Sequence, residues 1–99
     1  MIYLAHAYGG KKENKDHAKQ IWIKLATEDI TETYVNPLEA FGDLYDKVDY
    51  DTGILMCLEL MSKCDKLLVT SKELSKGVTM EINEAKRLGI PVEFYKGEK

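Results

Sequence analysis

The segment Ser75-Lys76-Gly77-Val78-Thr79-Met80-Glu81 carries the residue types best suited to chemistry. It follows the apolar run Leu67-Leu68-Val69 and opens a stretch of helical character that reaches Leu88. A strand-to-helix crossing whose loop holds a hydroxyl and a glycine ahead of an acid is a recurrent active-site arrangement in open α/β sheets. Free backbone N–H groups and the positive end of the helix dipole are expected to hold Glu81 ionised, with the hydroxyls of Ser75 and Thr79 nearby. An ionised, positioned carboxylate can be a nucleophile. Position alone equally fits an acid that complements the dipole from a solvated first turn, with Ser75 and Thr79 acting as caps.

Three other places qualify. Gly9 and Gly10 follow the first apolar run and precede a helix, so their backbone can approach an anionic ligand with no Cβ in the way. The same pair reads equally as a tight strand-to-helix turn, and it is neither a GxGxxG nor a Walker A motif, so no cofactor is expected. Tyr3 should point to one face of the first strand near its carboxyl end, either toward a site or into the core. The acids Asp43, Asp46, Asp49 and Asp51 suit a solvated face, or contact with a substrate above a cleft.

The elements that must position these residues follow from periodicity. Met1 to Ala5 reads as a strand, and Ala7-Tyr8-Gly9-Gly10 as a turn into a helix on which Ala18, Ile21, Trp22 and Leu25 recur at helical spacing. Thr33 to Asn36 reads as a second strand stopped by Pro37, which supplies no backbone donor. Leu38 to Tyr50 is irregular and reads as a loop with helical turns. Asp51 to Lys63 is a helix with Ile54, Leu55, Leu58 and Met61 in period, capped by Asp51 or Thr52. Lys66 to Thr70 is the third strand, Val78 to Leu88 the third helix with Gly89 as its C-terminal stop, and Pro91 to Tyr95 the fourth strand.

That order, β-α-β-α-β-α-β, predicts an α/β flavodoxin-like, Rossmann-like three-layer sandwich: a four-stranded parallel sheet in spatial order 2-1-3-4, with helices on both faces. Ligands in such sheets bind beyond the carboxyl ends of the strands, where the order reverses. Here that point lies between strands one and three. The loops expected to meet there are His6 to Gly10, Pro37 to Asp49, and Ser71 to Glu81.

Composition narrows the function classes. The 99 residues, 44% of them hydrophobic, fit one domain spanning 1–99. A formal charge of −3 argues against nucleic acid as a partner, and only Lys11, Lys12 and Lys15 cluster, as a solvated helix face or a phosphate attractor. No stretch approaches the ~20 apolar residues that span a bilayer and no secretory leader pattern is seen, so a cytoplasmic protein without a membrane partner is expected. Cys57 and Cys64 fall about 10 Å apart along a helix axis, beyond the ~7 Å limit for a disulfide. Both read as core thiols, and with His6 and His17 away from them no metal site is expected. Met56, Met61 and Met80 read as core filling.

Together, Ile2-Tyr3-Leu4-Ala5 with the Gly9-Gly10 turn, Lys63 to Val69, Ser75 to Glu81, and Glu84-Ala85-Lys86-Arg87-Leu88-Gly89-Ile90-Pro91-Val92 resemble the nucleoside 2-deoxyribosyltransferase-like superfamily. This group includes deoxyribosyltransferases, 2′-deoxynucleoside 5′-monophosphate N-glycosidases and small phage and bacterial relatives. The resemblance implies an enzyme in which Glu81 attacks C1′ of the sugar, or stabilises the cation formed there, while Tyr3 orients it. A carboxylate beneath C1′ suits the oxocarbenium-like state of N-glycosidic cleavage. In the monophosphate branch the first loop and a Ser matching Ser75 hold the 5′-phosphate. The implied substrate-binding set is therefore His6, Tyr8, Gly9, Gly10, Ser75 and Gly77, with Lys11 and Lys12 helping by charge.

One departure stands out. Relatives carry an Asp eight residues before the one matching Asp65, and here that position is Cys57. Asp49 or Asp51 is the expected stand-in for that acid. A segment that adds a fifth strand in larger relatives has no counterpart in these residues. The implied partners are a nucleoside or nucleotide and a second copy of the chain, as a homodimer or higher homo-oligomer. The alternative function is a protein that binds or sequesters a nucleotide derivative on the same scaffold without turning it over, and a purely structural module is a third.

Overall fold

A computed structural model of the chain describes residues 1–96. The elements run β1 (Ile2–Ala5), α1 (Lys12–Glu28), β2 (Tyr34–Val35), α2 (Pro37–Tyr45), α3 (Tyr50–Ser62), β3 (Lys66–Val69), α4 (Lys76–Leu88) and β4 (Val92–Phe94). The strands form one parallel sheet in the order β2-β1-β3-β4. β1 lies at its centre, with Tyr3 opposite Val35 on one side and Leu67 on the other. All four β1 residues are buried, as a strand covered on both faces requires.

Side-chain alternation then divides the core. Tyr3 and Ala5 of β1 and Leu67 and Val69 of β3 share one face, packed with Cys57, Met61 and Cys64 at and after α3, and Val78, Ile82 and Ala85 of α4. On α1, Ala18 and Ile21 are the buried positions of the apolar stripe, and the Trp22 indole N–H donates to the Tyr34 carbonyl at 2.9 Å. Both cysteines are free and buried. Met61 is fully buried, whereas Met56 and Met80 are half-buried.

The fold class and strand order are those the sequence predicts, but three local expectations need correction. Residues 38–50 are not a loop with helical turns, because a fourth helix, α2, occupies 37–45. Asn36 caps it by accepting from the Leu38 N–H at 3.1 Å, and Pro37 takes the first helical position, where its missing N–H costs nothing. The proline that ends β2 also begins α2. Next, the cap of α3 is Asp49, which accepts from the Thr52 N–H at 2.7 Å, not Asp51 or Thr52. Finally, α4 starts at Lys76 with Ser75 as cap, accepting from the Val78 N–H at 3.2 Å, rather than at Val78. Gly89 ends α4 with φ +77°, the left-handed stop expected of it.

Candidate functional site

The carboxyl ends of β1 and β3 open into a cavity of about 490 Å³. The β1–α1 loop contributes His6, Tyr8, Gly9 and Gly10, and the start of α4 contributes Ser75, Gly77 and Glu81. α2 adds Pro37, Leu38 and Tyr45, the turn after it Asp46 and Asp49, and α3 Tyr50, Ile54 and Cys57. The expected meeting of three loops at the switch point is therefore present. The lower wall is apolar and aromatic, and the polar groups are few, as is usual where a small molecule binds.

Glu81 is buried at 5% exposure, and its carboxylate receives the Tyr3 hydroxyl in a short hydrogen bond. Its place on α4 corrects the sequence reading. It is the sixth residue of the helix, beyond the free N–H groups, and the first turn of α4 contains no acid. The dipole does not hold it ionised. Burial instead pushes its pKa from 4.5 up to about 7, and the Tyr3 bond opposes that rise in part. The side chain is therefore neither a solvated surface acid nor a strongly ionised one. Thr79 is exposed and does not line the cavity.

Tyr3 is fully buried and stands behind Glu81 rather than on the cavity wall. Desolvation first, then the neighbouring Glu81 charge, raise its pKa well above the ordinary tyrosine value, so it stays a protonated donor. Cys57 is on the wall, with Sγ 2.6 Å from the Tyr45 hydroxyl. Burial raises the thiol pKa, which keeps it neutral. Tyr45 in turn packs at 5.8 Å from the Tyr8 ring and edge-on to Phe41 at 6.5 Å.

Gly9 and Gly10 both have positive φ, +59° and +73°, and a Cβ at either would meet nothing within 4 Å. Glycine is needed there for backbone conformation rather than for room. Asn14 ties the turn down by donating to the Tyr8 carbonyl at 3.0 Å. His6 is buried, with Nδ1 2.8 Å from the Ala7 carbonyl and Nε2 2.9 Å from His17 Nδ1. Because a carbonyl only accepts, Nδ1 of His6 carries a proton. Ala7 N–H donates to Ser71 Oγ at 3.1 Å, which joins the β1 and β3 loops.

Of the sequence-derived site residues, Glu81, His6, Tyr8, Gly9, Gly10, Ser75, Gly77, Asp49 and Cys57 line the cavity, with Tyr3 directly behind. Asp51 does not. It is exposed in the first turn of α3. Asp49 is spent in part on capping α3, which lowers its pKa through the Thr52 bond. The sequence reading missed Tyr45 and Tyr50. Phe41 and Tyr45, four apart, carried the helical signal for α2, masked by Gly42 and the surrounding acids.

Lys12 pairs with Asp16 at 2.9 Å and Lys15 approaches Asp43 at 3.9 Å, so much of the basic cluster is occupied by acids. Among the described residues no group of three or more His, Cys, Asp or Glu side chains could hold a metal ion, and no helix is long and apolar enough to cross a membrane.

The sequence profile of a family described as "Domain of unknown function (DUF7768)" matches residues 1–95. The chain belongs to that family. No curated protein and no solved structure matches it. The matched span of this DUF7768 member takes in every element of the sheet and every residue of the cavity.

Proposed function

We propose that this protein cleaves, or transfers the sugar across, the N-glycosidic bond of a nucleoside or nucleoside 5′-monophosphate. The observation that carries the reading is the buried Tyr3–Glu81 pair at the floor of the switch-point cavity. A carboxylate there can stabilise the cationic sugar or trap it at C1′, because low local dielectric strengthens its attraction to developing positive charge. Tyr3 fixes which oxygen is presented. Tyr8, Tyr45 and Tyr50 offer flat faces to a base, and the Gly9-Gly10 turn with Ser75 offers donors to a phosphate or sugar hydroxyl. The likeness of these residues to the nucleoside 2-deoxyribosyltransferase-like superfamily supports the same assignment.

A second reading has its own observation. Cys57 stands where the superfamily that these residues resemble carries an acid, and a Glu81 pKa of about 7 leaves roughly half of that carboxyl protonated at neutral pH. Both favour a protein that binds a nucleotide derivative without turnover. Incubation with a panel of deoxynucleosides and their 5′-monophosphates separates the two. Release of free base supports the enzyme; saturable binding with no base from any member supports the binding protein.

The same reading includes a cytoplasmic location and a homodimer. Leu44 of α2 and Tyr50 and Leu55 of α3 are exposed at 45%, 53% and 64%, on the helices that form one wall of the cavity, and a second copy would cover them. Sedimentation at micromolar concentration should show a dimer, and a monomer would count against it.

A further inference from the structure

Among the described residues, the cavity is lined by three tyrosines and three acids but a single lysine. The tyrosines are Tyr8 of the β1–α1 loop, Tyr45 of α2 and Tyr50 of α3; the acids are Asp46, Asp49 and Glu81, and the lysine is Lys76. Tyr50 carries a cation over its ring, with Lys76 Nζ 5.5 Å from the centroid, and Tyr8 packs against Tyr45 at 5.8 Å. Asp46 and Asp49 are exposed on the rim, and Glu81 is buried at the floor. Aromatic faces and carboxylates both attract positive charge, more strongly where water is displaced.

The same walls are poor in acids that could protonate a leaving base. Tyr45 Oη and Cys57 Sγ pair at 2.6 Å, and burial raises both pKa values, so neither gives up its proton readily at neutral pH. His6 has both ring nitrogens engaged, Nδ1 with the Ala7 carbonyl and Nε2 with His17. Asp46 and Asp49 stand at the exposed rim, where carboxyl groups are ionised at neutral pH. Glu81 is the remaining acid. A carboxyl that faces C1′ from the side opposite the base, as attack on C1′ requires, does not reach the base nitrogen. A neutral base, which must gain a proton as it leaves, is therefore poorly served, whereas a base that carries a positive charge needs none.

We propose that the cavity selects nucleosides whose base is a cation while it is bonded to the sugar: N-glycosyl pyridinium compounds or N-alkylated purine nucleosides. The inference rests on the glycosidic reading and names its substrate class. As the C1′–N bond breaks, its electron pair stays on the base nitrogen and neutralises the base, so the positive charge passes from the ring to the sugar. The Glu81 carboxylate stabilises that charge or forms a bond to C1′. Water then adds its oxygen to C1′, displaces Glu81 where a bond had formed, and gives a proton to solvent. No acid and no further reactant enter. The charge moves from the tyrosines toward Glu81, and the cavity attracts it at both places.

Lys76 stands in the place of such a cation. It is exposed at the first position of α4, so an incoming positive ring replaces its ammonium over Tyr50 and the ammonium returns to solvent. Gly77 keeps the approach open. A Cβ there would lie 3.4 Å from Tyr50 Oη and 3.6 Å from Ile54 Cδ1, so a side chain would press on the same ring.

Binding is tested with two probes that differ by one methyl group and its positive charge, 1-methylnicotinamide and nicotinamide. Neither contains a sugar, so the result stands apart from the glycosidic reading. Calorimetric titration of the wild type should show the cation binding at least roughly tenfold more tightly than the neutral probe. Tyr50→Leu and Asp46→Asn should each narrow that gap by roughly threefold or more, while Tyr50→Phe, which keeps the ring, should preserve it. Lys76→Ala removes the competing ammonium and should tighten the cation but not nicotinamide. Equal affinity for the two probes, tighter binding of nicotinamide, or no measurable binding of either overturns the proposal.

Turnover is tested with nicotinamide riboside, 7-methylguanosine and guanosine, each measured against its spontaneous rate of base release. The acceleration of at least one charged nucleoside should exceed that of guanosine by roughly 10²-fold or more, the lower end of what a missing general acid costs. Release from nicotinamide riboside alone assigns the pyridinium class, from 7-methylguanosine alone the alkylated purines, and from both a selection by charge. Equal acceleration of guanosine overturns the proposal and leaves the glycosidic reading standing. If none of the three releases base and the neutral deoxynucleosides release none either, the glycosidic reading falls and takes the leaving-group assignment with it. The two probes then decide whether the cavity is a cation site.

Discussion

Replacing Glu81 with Gln should make the protein more stable at alkaline pH and change little in mild acid. The amide keeps an acceptor for the Tyr3 hydroxyl but removes the charge. In the unfolded chain the carboxyl titrates near 4.5; in the folded protein burial moves it to about 7. A raised carboxylate pKa means that the folded state binds the proton more tightly. The contribution to stability is therefore complete below 4.5 and is lost as pH rises toward and through 7. A rise of this size, at about 1.4 kcal/mol per pH unit, amounts to about 3 kcal/mol lost by pH 8. In a domain of about 100 residues each kcal/mol moves Tm by roughly 4 to 8 °C, so the difference in Tm between variant and wild type should change by roughly 10 to 25 °C from about pH 4 to about pH 8.5. Thermal unfolding of both proteins across that range measures it. Any fixed cost of leaving the new amide N–H₂ unpaired shifts the whole difference curve without changing its slope. A difference that stays flat with pH refutes the claim that Glu81 is buried and titrates near neutrality.

Two further substitutions test the scaffold. Ser75→Ala should cost about 1 kcal/mol, since it removes the side-chain cap of α4 at the Val78 N–H, and chemical unfolding should show an unchanged slope with a lower midpoint. Met61→Ala empties a fully buried position between α3 and the sheet and should cost about 2 to 5 kcal/mol; a loss under about 1 kcal/mol would mean that the core collapses around the gap.

The sheet was legible because its strands are short apolar runs separated by elements of clear period. Strand order followed from the same alternation, and so did the meeting of the β1, β2 and β3 loops at one end. What the sequence obscured lies in residues 36–50. Pro37 reads as a strand stop, yet it serves equally as the first residue of a helix, and only the Asn36 cap distinguishes the two roles. That missed helix carries Tyr45, so the contact between Tyr45 and Cys57 was not visible from spacing.

Glu81 shows a different limit. Its assignment to the cavity followed from its distance after β3, but its electrostatics depended on whether α4 begins at Lys76 or Val78. Starting two residues earlier places Glu81 beyond the free N–H groups and replaces stabilisation by the dipole with destabilisation by burial. Helix ends are set by cap geometry, and the Ser75 hydroxyl suited either a cap or a ligand contact. It is a cap and lines the cavity as well.

The most direct test of the account is base release from a deoxynucleoside 5′-monophosphate under single-turnover conditions, with wild type and Glu81→Gln compared at equal occupancy. The account predicts that the wild type frees the base while the variant binds the nucleotide with similar affinity and releases it at least about 100-fold more slowly. Release at the wild-type rate by the variant would contradict it.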